Sequence, residues 1–121
     1  LADFSYHCMS WHIQPGQFRG IGGLDLARLN IPDEKSYVRR YCERTGRADP
    51  DAVMADWNFY LAYNLFRMAG ILQGIAKRVV EGTAASAQAR QAAAGARPLA
   101  ENGIVVIASA LETPSVVEAK L

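Results

Sequence analysis

The sequence predicts an all-α chain, and three observations carry that expectation. Met54 to Glu81 contains no proline and almost no charge between Asp56 and Lys77. Within it, Leu61, Leu65, Met68, Leu72, Ile75 and Val79 recur at alternating spacings of four and three, which marks one buried helix face. Helical patterns flank this stretch, at Glu34 to Thr45 before it and in the alanine-rich Thr83 to Arg97 after it. At the usual rise per residue the central helix would be roughly 40 Å long, so the rest of the chain is expected to be arranged around it.

The other faces of the central helix are not plain solvent faces. Asp56, Tyr60, Tyr63, Arg67, Gly70 and Gly74 form a second stripe, roughly opposite the first, with Phe59, Phe66 and Gln73 beside it. Apolar or aromatic material nearly all round predicts a helix packed on several sides. The two glycines, four residues apart, would leave a shallow groove where a backbone or a ligand can approach.

The 121 residues, half of them hydrophobic, make one domain with a real core. Thirteen basic and 12 acidic residues leave a net charge of +1, which gives no reason to expect a nucleic-acid or anionic-membrane partner. Cys8 and Cys42 are too few for a disulfide scaffold, and reduced thiols in a cytoplasmic protein are expected. No signal-peptide pattern opens the chain. Asn58, Asn64, Arg67 and Gln73 break the apolar run of the central helix, so it is not expected to span a membrane. The chain opens at Leu1 inside what already reads as an ordered element, as a piece of something longer would.

In chain order, Asp3 is the expected N-cap of a helix from Phe4 to about Ile13, with Phe4, Cys8 and Trp11 along one side. Gln14 to Gly23 has one proline and four glycines and reads as a loop. Leu24 to Asn30 has room for a single helical turn. Asp33 is the expected N-cap of Glu34 to Thr45, whose inner stripe is Tyr37, Val38, Tyr41 and Cys42, and Gly46 stops that helix. Arg47 to Pro50 connects to the central helix. Gly95 and Pro98 mark the end of the alanine-rich helix. Ile104 to Ile107 is a β-branched run, which leaves Gly103 to Leu111 open between a strand and a short buried helix. Glu112 to Leu121, with Pro114, reads as frayed or irregular. The division is therefore a helical part at 1–102 and a tail of unknown structure at 103–121.

No constellation of residues declares a catalytic site. His7, Cys8 and His12 have no matching Cys/His pair elsewhere, so ordinary helix packing is expected there and not a metal site. Arg19-Gly20-Ile21-Gly22-Gly23 lacks the Gly-Lys-Ser/Thr and the preceding strand of a phosphate loop. No Ser-His-Asp set or carboxylate pair has informative spacing. Arg67 stands apart, because a cation amid a mostly apolar helix needs a partner or water. An acidic residue on another helix and a ligand are both open to it.

Four stretches resemble one family. Leu1-Ala2-Asp3-Phe4-Ser5-Tyr6 is similar to the end of the Asp-Pro-Leu-Ala-Asp-Leu-Ala-Tyr segment of aminoglycoside phosphotransferase-like kinases. His7-Cys8-Met9-Ser10-Trp11, Tyr37-Val38-Arg39-Arg40-Tyr41-Cys42 and the run Asp56 to Arg67 resemble the same family. The resemblance covers about Leu1 to Glu101 and is to the bacterial branch related to kinase-like domains fused to acyl-CoA dehydrogenases.

That resemblance implies the helical part of a protein-kinase-like C-terminal lobe. Family members carry a glycine-rich loop, a lysine–glutamate pair, a His-Gly-Asp catalytic loop and a metal-binding Asp, and their catalysis is mostly positioning and charge stabilisation around ATP and magnesium. None of those motifs is in this sequence. ATP and magnesium are thus expected only for a full-length parent, and a missing N-terminal kinase lobe is an expected partner. The implied role is one wall of the pocket for a small-molecule phosphoryl acceptor, with Trp11, Tyr60, Asn64 and Arg67 as substrate-binding residues and no catalytic residue or metal ligand. Arg67 and the small Ala69 argue against a quaternary-ammonium cage and favour an acidic or phosphorylated acceptor. The alternative is a non-enzymatic helical module for interaction or oligomerisation. In either case a fragment with uncovered apolar surface is expected to form homo-oligomers.

Overall fold

A computed structural model describes residues 1–46 and 49–111. Six α-helices and one short 3-10 turn account for the ordered elements, and the described residues contain no strand. The tail beyond Leu111 and the connector residues 47 and 48 lie outside the described residues.

Helix α1 (Ala2–Cys8) runs directly into a 3-10 turn at Met9–His12. Leu1 sits at its N-cap without a side-chain bond, so Asp3 occupies the first turn and does not cap it. A carboxylate there still suits the helix dipole. The Gln14 to Gly23 stretch is a loop, but a tightly packed one. Gly22 N–H donates to the Ile13 carbonyl at 2.9 Å, and Ile21 N–H to Ser10 at 2.8 Å. A Cβ on Gly20 would collide with the carbonyl oxygens of Gln14 and Ile13, so the glycine permits the chain to cross itself. Asp25 to Ile31 closes in overlapping turns, with the Asp25 carboxylate accepting from Arg28 N–H at 3.2 Å.

Helix α2 (Glu34–Thr45) has the expected boundaries. The Asp33 carboxylate accepts from Ser36 N–H at 2.9 Å and Ser36 Oγ at 2.8 Å, which holds that carboxyl below its ordinary pKa. Gly46 ends the helix at φ 61, in the left-handed region. Val38 and Cys42 are buried, and Tyr37 and Tyr41 half-buried, as the inner stripe requires.

The long stretch is two helices. Asp49 caps α3 (Pro50–Ala55), which starts on proline, and Asp56 at φ −100 and ψ 5 separates it from α4 (Trp57–Val80). Helix α4 spans roughly 36 Å. Leu61, Leu65, Met68 and Leu72 are buried on it, and Ile75 and Val79 are half-buried as the helix runs out of the core. Its far side is not packed as expected: Tyr63, Arg67, Gly70, Gln73 and Gly74 are exposed. A Cβ at Gly70 or Gly74 would meet nothing within 4 Å, so no described element uses those glycines for a close approach.

The alanine-rich stretch is helical at α5 (Ala89–Ala93) and again at Ala96 and Arg97, which open the next helix. Pro98 starts rather than stops a helix: it lies in the first turn of α6 (Ala96–Leu111), where a missing N–H costs nothing. Gly103 to Leu111 belongs to α6, so the β-branched run is helical. Packing decides this, because α6 lies along α4 in the most extensive helix–helix interface of the fold. Gly103 seats against the Phe66 ring, which a Cβ would approach to 3.0 Å.

The core joins Cys8, Met9 and Ile13 to Val38, Cys42, Trp57 and the buried face of α4, with Leu99 and Val106 from α6. Phe4 stacks on Tyr41 at 3.8 Å between ring centres and ties α1 to α2.

Candidate functional site

The sequence-predicted residues separate into three settings. Asn64 is fully buried, and its Nδ2 donates to Ser5 Oγ at 2.8 Å, to the Ala2 carbonyl at 3.2 Å and to the Tyr60 carbonyl at 3.1 Å. Ser5, also fully buried, donates to the Ala2 carbonyl at 3.0 Å. This polar cluster pins the first turn of α1 onto α4. The Asn64 Oδ1 is buried without a donor among the described residues.

Trp11 lies on the other side of α1. Its Nε1 donates to the Pro32 carbonyl at 3.1 Å, and its ring stacks on Tyr37 at 5.2 Å. Nearby, His12 Nε2 is 2.7 Å from Glu34 Oε2 and His7 Nε2 is 3.2 Å from Tyr37 Oη. These contacts clamp the base of the long loop to α2. Tyr60 is half-buried against the core with its ring edge-on to Phe59 at 6.0 Å. Tyr60 and Asn64 touch through the Tyr60 carbonyl, but no hydrogen bond or ring contact joins Trp11 to Tyr60, Asn64 or Arg67 among the described residues.

Arg67 is exposed, three residues beyond Asn64 but on the open side of α4. Its guanidinium lies over the Tyr6 ring, 5.9 Å from the centre, a cation–π arrangement. The Tyr6 hydroxyl in turn meets Met68 Sδ at 3.6 Å, which fixes the ring. No ion pair of Arg67 exists among the described residues, so the internal carboxylate partner that the sequence left open is not there.

Arg67 edges a groove of about 610 Å³ between α4 and α6. Phe59, Tyr63 and Phe66 form one wall; Ile107, Ala110 and Leu111 form the other. Asn58 adds an amide at one end. Sequence reasoning missed the α6 wall because it left Gly103 to Leu111 unassigned. Gly103, the one small residue that lets α6 approach Phe66, was the available signal. Such a surface binds by apolar contact, with one fixed cation to orient an anionic group. Among the described residues no group of three or more His, Cys, Asp or Glu side chains is placed to hold a metal ion.

An all-helical fold among the described residues, arranged around one long helix, is that of the helical part of a kinase-like C-terminal lobe. The comparisons place the chain within that class. A crystal structure from Ralstonia eutropha, of a protein proposed to be an aminoglycoside phosphotransferase, superposes with a TM-score of 0.76 at 63% identity, over 87% of this chain and 31% of that one. Acyl-CoA dehydrogenase family member 10 of Mus musculus is 39% identical over 104 residues, 84% of this chain and 9% of its own length. Acyl-CoA dehydrogenase family member 11 of Mus musculus is 35% identical over 83 residues, 69% of this chain and 10% of its own length. No family model matches the chain. The chain is thus a relative of the aminoglycoside phosphotransferase-like proteins, in the branch shared with acyl-CoA dehydrogenase family members 10 and 11. It spans about a tenth of the length of those curated relatives and about a third of the solved one. Among the described residues no helix is long and apolar enough to cross a membrane.

Proposed function

We propose that the chain is the acceptor-side helical part of an ATP-dependent small-molecule phosphotransferase. ATP and magnesium would be held by a kinase lobe outside this sequence, since none of the family's nucleotide-binding or catalytic motifs occurs in the 121 residues. One observation carries the acceptor assignment: Arg67 stands exposed at the edge of an apolar groove with no carboxylate partner among the described residues. A guanidinium so placed favours an acidic or phosphorylated acceptor, whose apolar body would lie along Phe59, Tyr63 and Phe66.

The test is Arg67→Met in a full-length protein carrying this segment. The long apolar side chain takes the place of the arginine stem and can lie against the Tyr6 ring that the guanidinium covers. Loss of one charge-assisted contact should raise the acceptor KM by about tenfold or more and leave the ATP KM and Tm nearly unchanged. A large fall in Tm with an unchanged acceptor KM would sink the assignment.

The second reading is a non-enzymatic helical module. The outer faces of α6 favour it, because Ile104 and Val105 are mostly exposed although they are large and apolar. In that case Arg67→Met alters neither KM, and substitutions on α6 alter partner binding instead.

A further inference from the structure

A second concavity lies where the buried face of α4 emerges from the core. It measures about 620 Å³, within the range of small-ligand sites. Its floor is Met68, Leu72 and Ile75, the continuation of the core stripe, and Phe18 of the long loop closes one side. Helix α5 and the turn that leads into α6 could fill it but do not, because they present Ala92, Ala94 and Gly95 there. Even Gly95 is close, as a Cβ on it would stand 3.1 Å from Leu72 Cδ1.

The polar groups around this cavity are of one kind. Gln17, Gln88 and Gln91, all exposed, line it from two separate elements, and the Gln88 Oε1 already accepts from Ser86 Oγ at 2.8 Å, which leaves its NH2 group to donate. Among the described residues no Asp, Glu, Lys, Arg or His lines it; Arg78 lines a smaller adjoining groove instead. An ion entering would lose water without meeting a counter-charge, which is costly. An amide, by contrast, both donates and accepts, so it matches a ligand edge that does the same.

We infer that this cavity is a binding site for an uncharged small molecule with an apolar, flat body and a carboxamide- or lactam-like polar edge. The body lies on Met68, Leu72 and Ile75 against Phe18, and the edge meets the glutamines. This site is independent of the phosphotransferase reading, and it contains none of the residues assigned to the acceptor.

Met68 makes the inference testable on the chain itself. It is one of three methionines, and Met9 and Met54 line neither cavity. The methyl resonances of the three, labelled with carbon-13, are followed while benzamide is titrated in, and then benzoate, its anionic isostere. Benzamide should shift the Met68 methyl along a saturating curve and leave Met9 and Met54 in place. Benzoate should bind at least about tenfold more weakly, the penalty for an unpaired charge even at a partly open site. Ala92→Phe should abolish the shift by filling the space. Gln91→Ala, at an exposed position that cannot unfold the chain, should weaken benzamide about fivefold by removing one hydrogen-bonding partner. No saturable Met68 shift would overturn the site. Equal binding of benzoate, or full benzamide affinity in Gln91→Ala, would overturn the ligand class.

Discussion

Asn64 and Arg67 sit three residues apart on one helix and have opposite fates, which neither residue type announces. The buried amide of Asn64 is spent on Ser5, Ala2 and Tyr60, while the guanidinium of Arg67 faces outward over Tyr6. Asn64→Ala should therefore cost roughly 1–3 kcal/mol, because the Ser5 hydroxyl and the Ala2 carbonyl lose a buried donor. Urea denaturation of the isolated chain reads it, and an unchanged midpoint would show that α1 is not held by this amide. Cys8 supplies a second prediction. Burial, assisted by the Glu34 carboxylate, pushes its thiol up from 9.0 to about 12. The folded chain then keeps a proton that the unfolded chain sheds, so stability is complete below about pH 9 and falls as pH rises from there towards about 12. Other groups titrate in that window, so the informative quantity is the difference in slope between the native chain and Cys8→Ala. The native chain should lose stability more steeply, and parallel slopes would contradict the shift.

At the scale of elements, the sequence was legible wherever local chemistry and packing agreed. The Asp33 cap, the Tyr37–Val38–Tyr41–Cys42 stripe and Gly46 all point to the same α2, and it has those boundaries. The core face of α4 was readable because Leu61, Leu65, Met68 and Leu72 keep helical spacing against one continuous core. Readings failed or stayed open where a local signal has two meanings. Pro98 ends a helix or begins one, and only the position of Ala96 at the start of α6 decides it. The Ile104 to Ile107 run is β-prone in isolation, but packing along α4 makes it helical. Asp49-Pro50 was a start signal hidden in a presumed connector. Leu65→Ala, fully buried, should cost roughly 2–5 kcal/mol. Gly20→Ala should destabilise by about 2 kcal/mol or more by a different route, since its Cβ meets immovable backbone at the Ile13–Gln14 crossing. Thermal melts of both variants separate a misjudged core face from a misjudged loop: a neutral Gly20→Ala means that the crossing opens.

For the whole molecule, half of the candidate site was visible in the sequence, since Arg67 stood out as a cation in an apolar helix. The other half was not, because its wall is built from Ile107, Ala110 and Leu111 of α6, far along the sequence from Arg67. Exposed apolar side chains on both helices bear on association. Phe59 is 71% and Tyr63 56% exposed on α4, and Ile104 59% and Val105 62% on α6. A net charge of +1 offers little repulsion between copies. Apolar surface of this extent on a chain with so little charge drives self-association unless something covers it. The isolated chain is therefore expected to form a dimer or larger assembly, detectable by light scattering as a mass that rises with concentration. Replacing Phe59 and Val105 with lysine should return it to a monomer with little change in Tm, because both side chains are largely in water already. A native chain that stays monomeric at high concentration and binds no hydrophobic dye would show that these faces are covered within the chain. A constant dimer in the lysine variant would place the contact elsewhere.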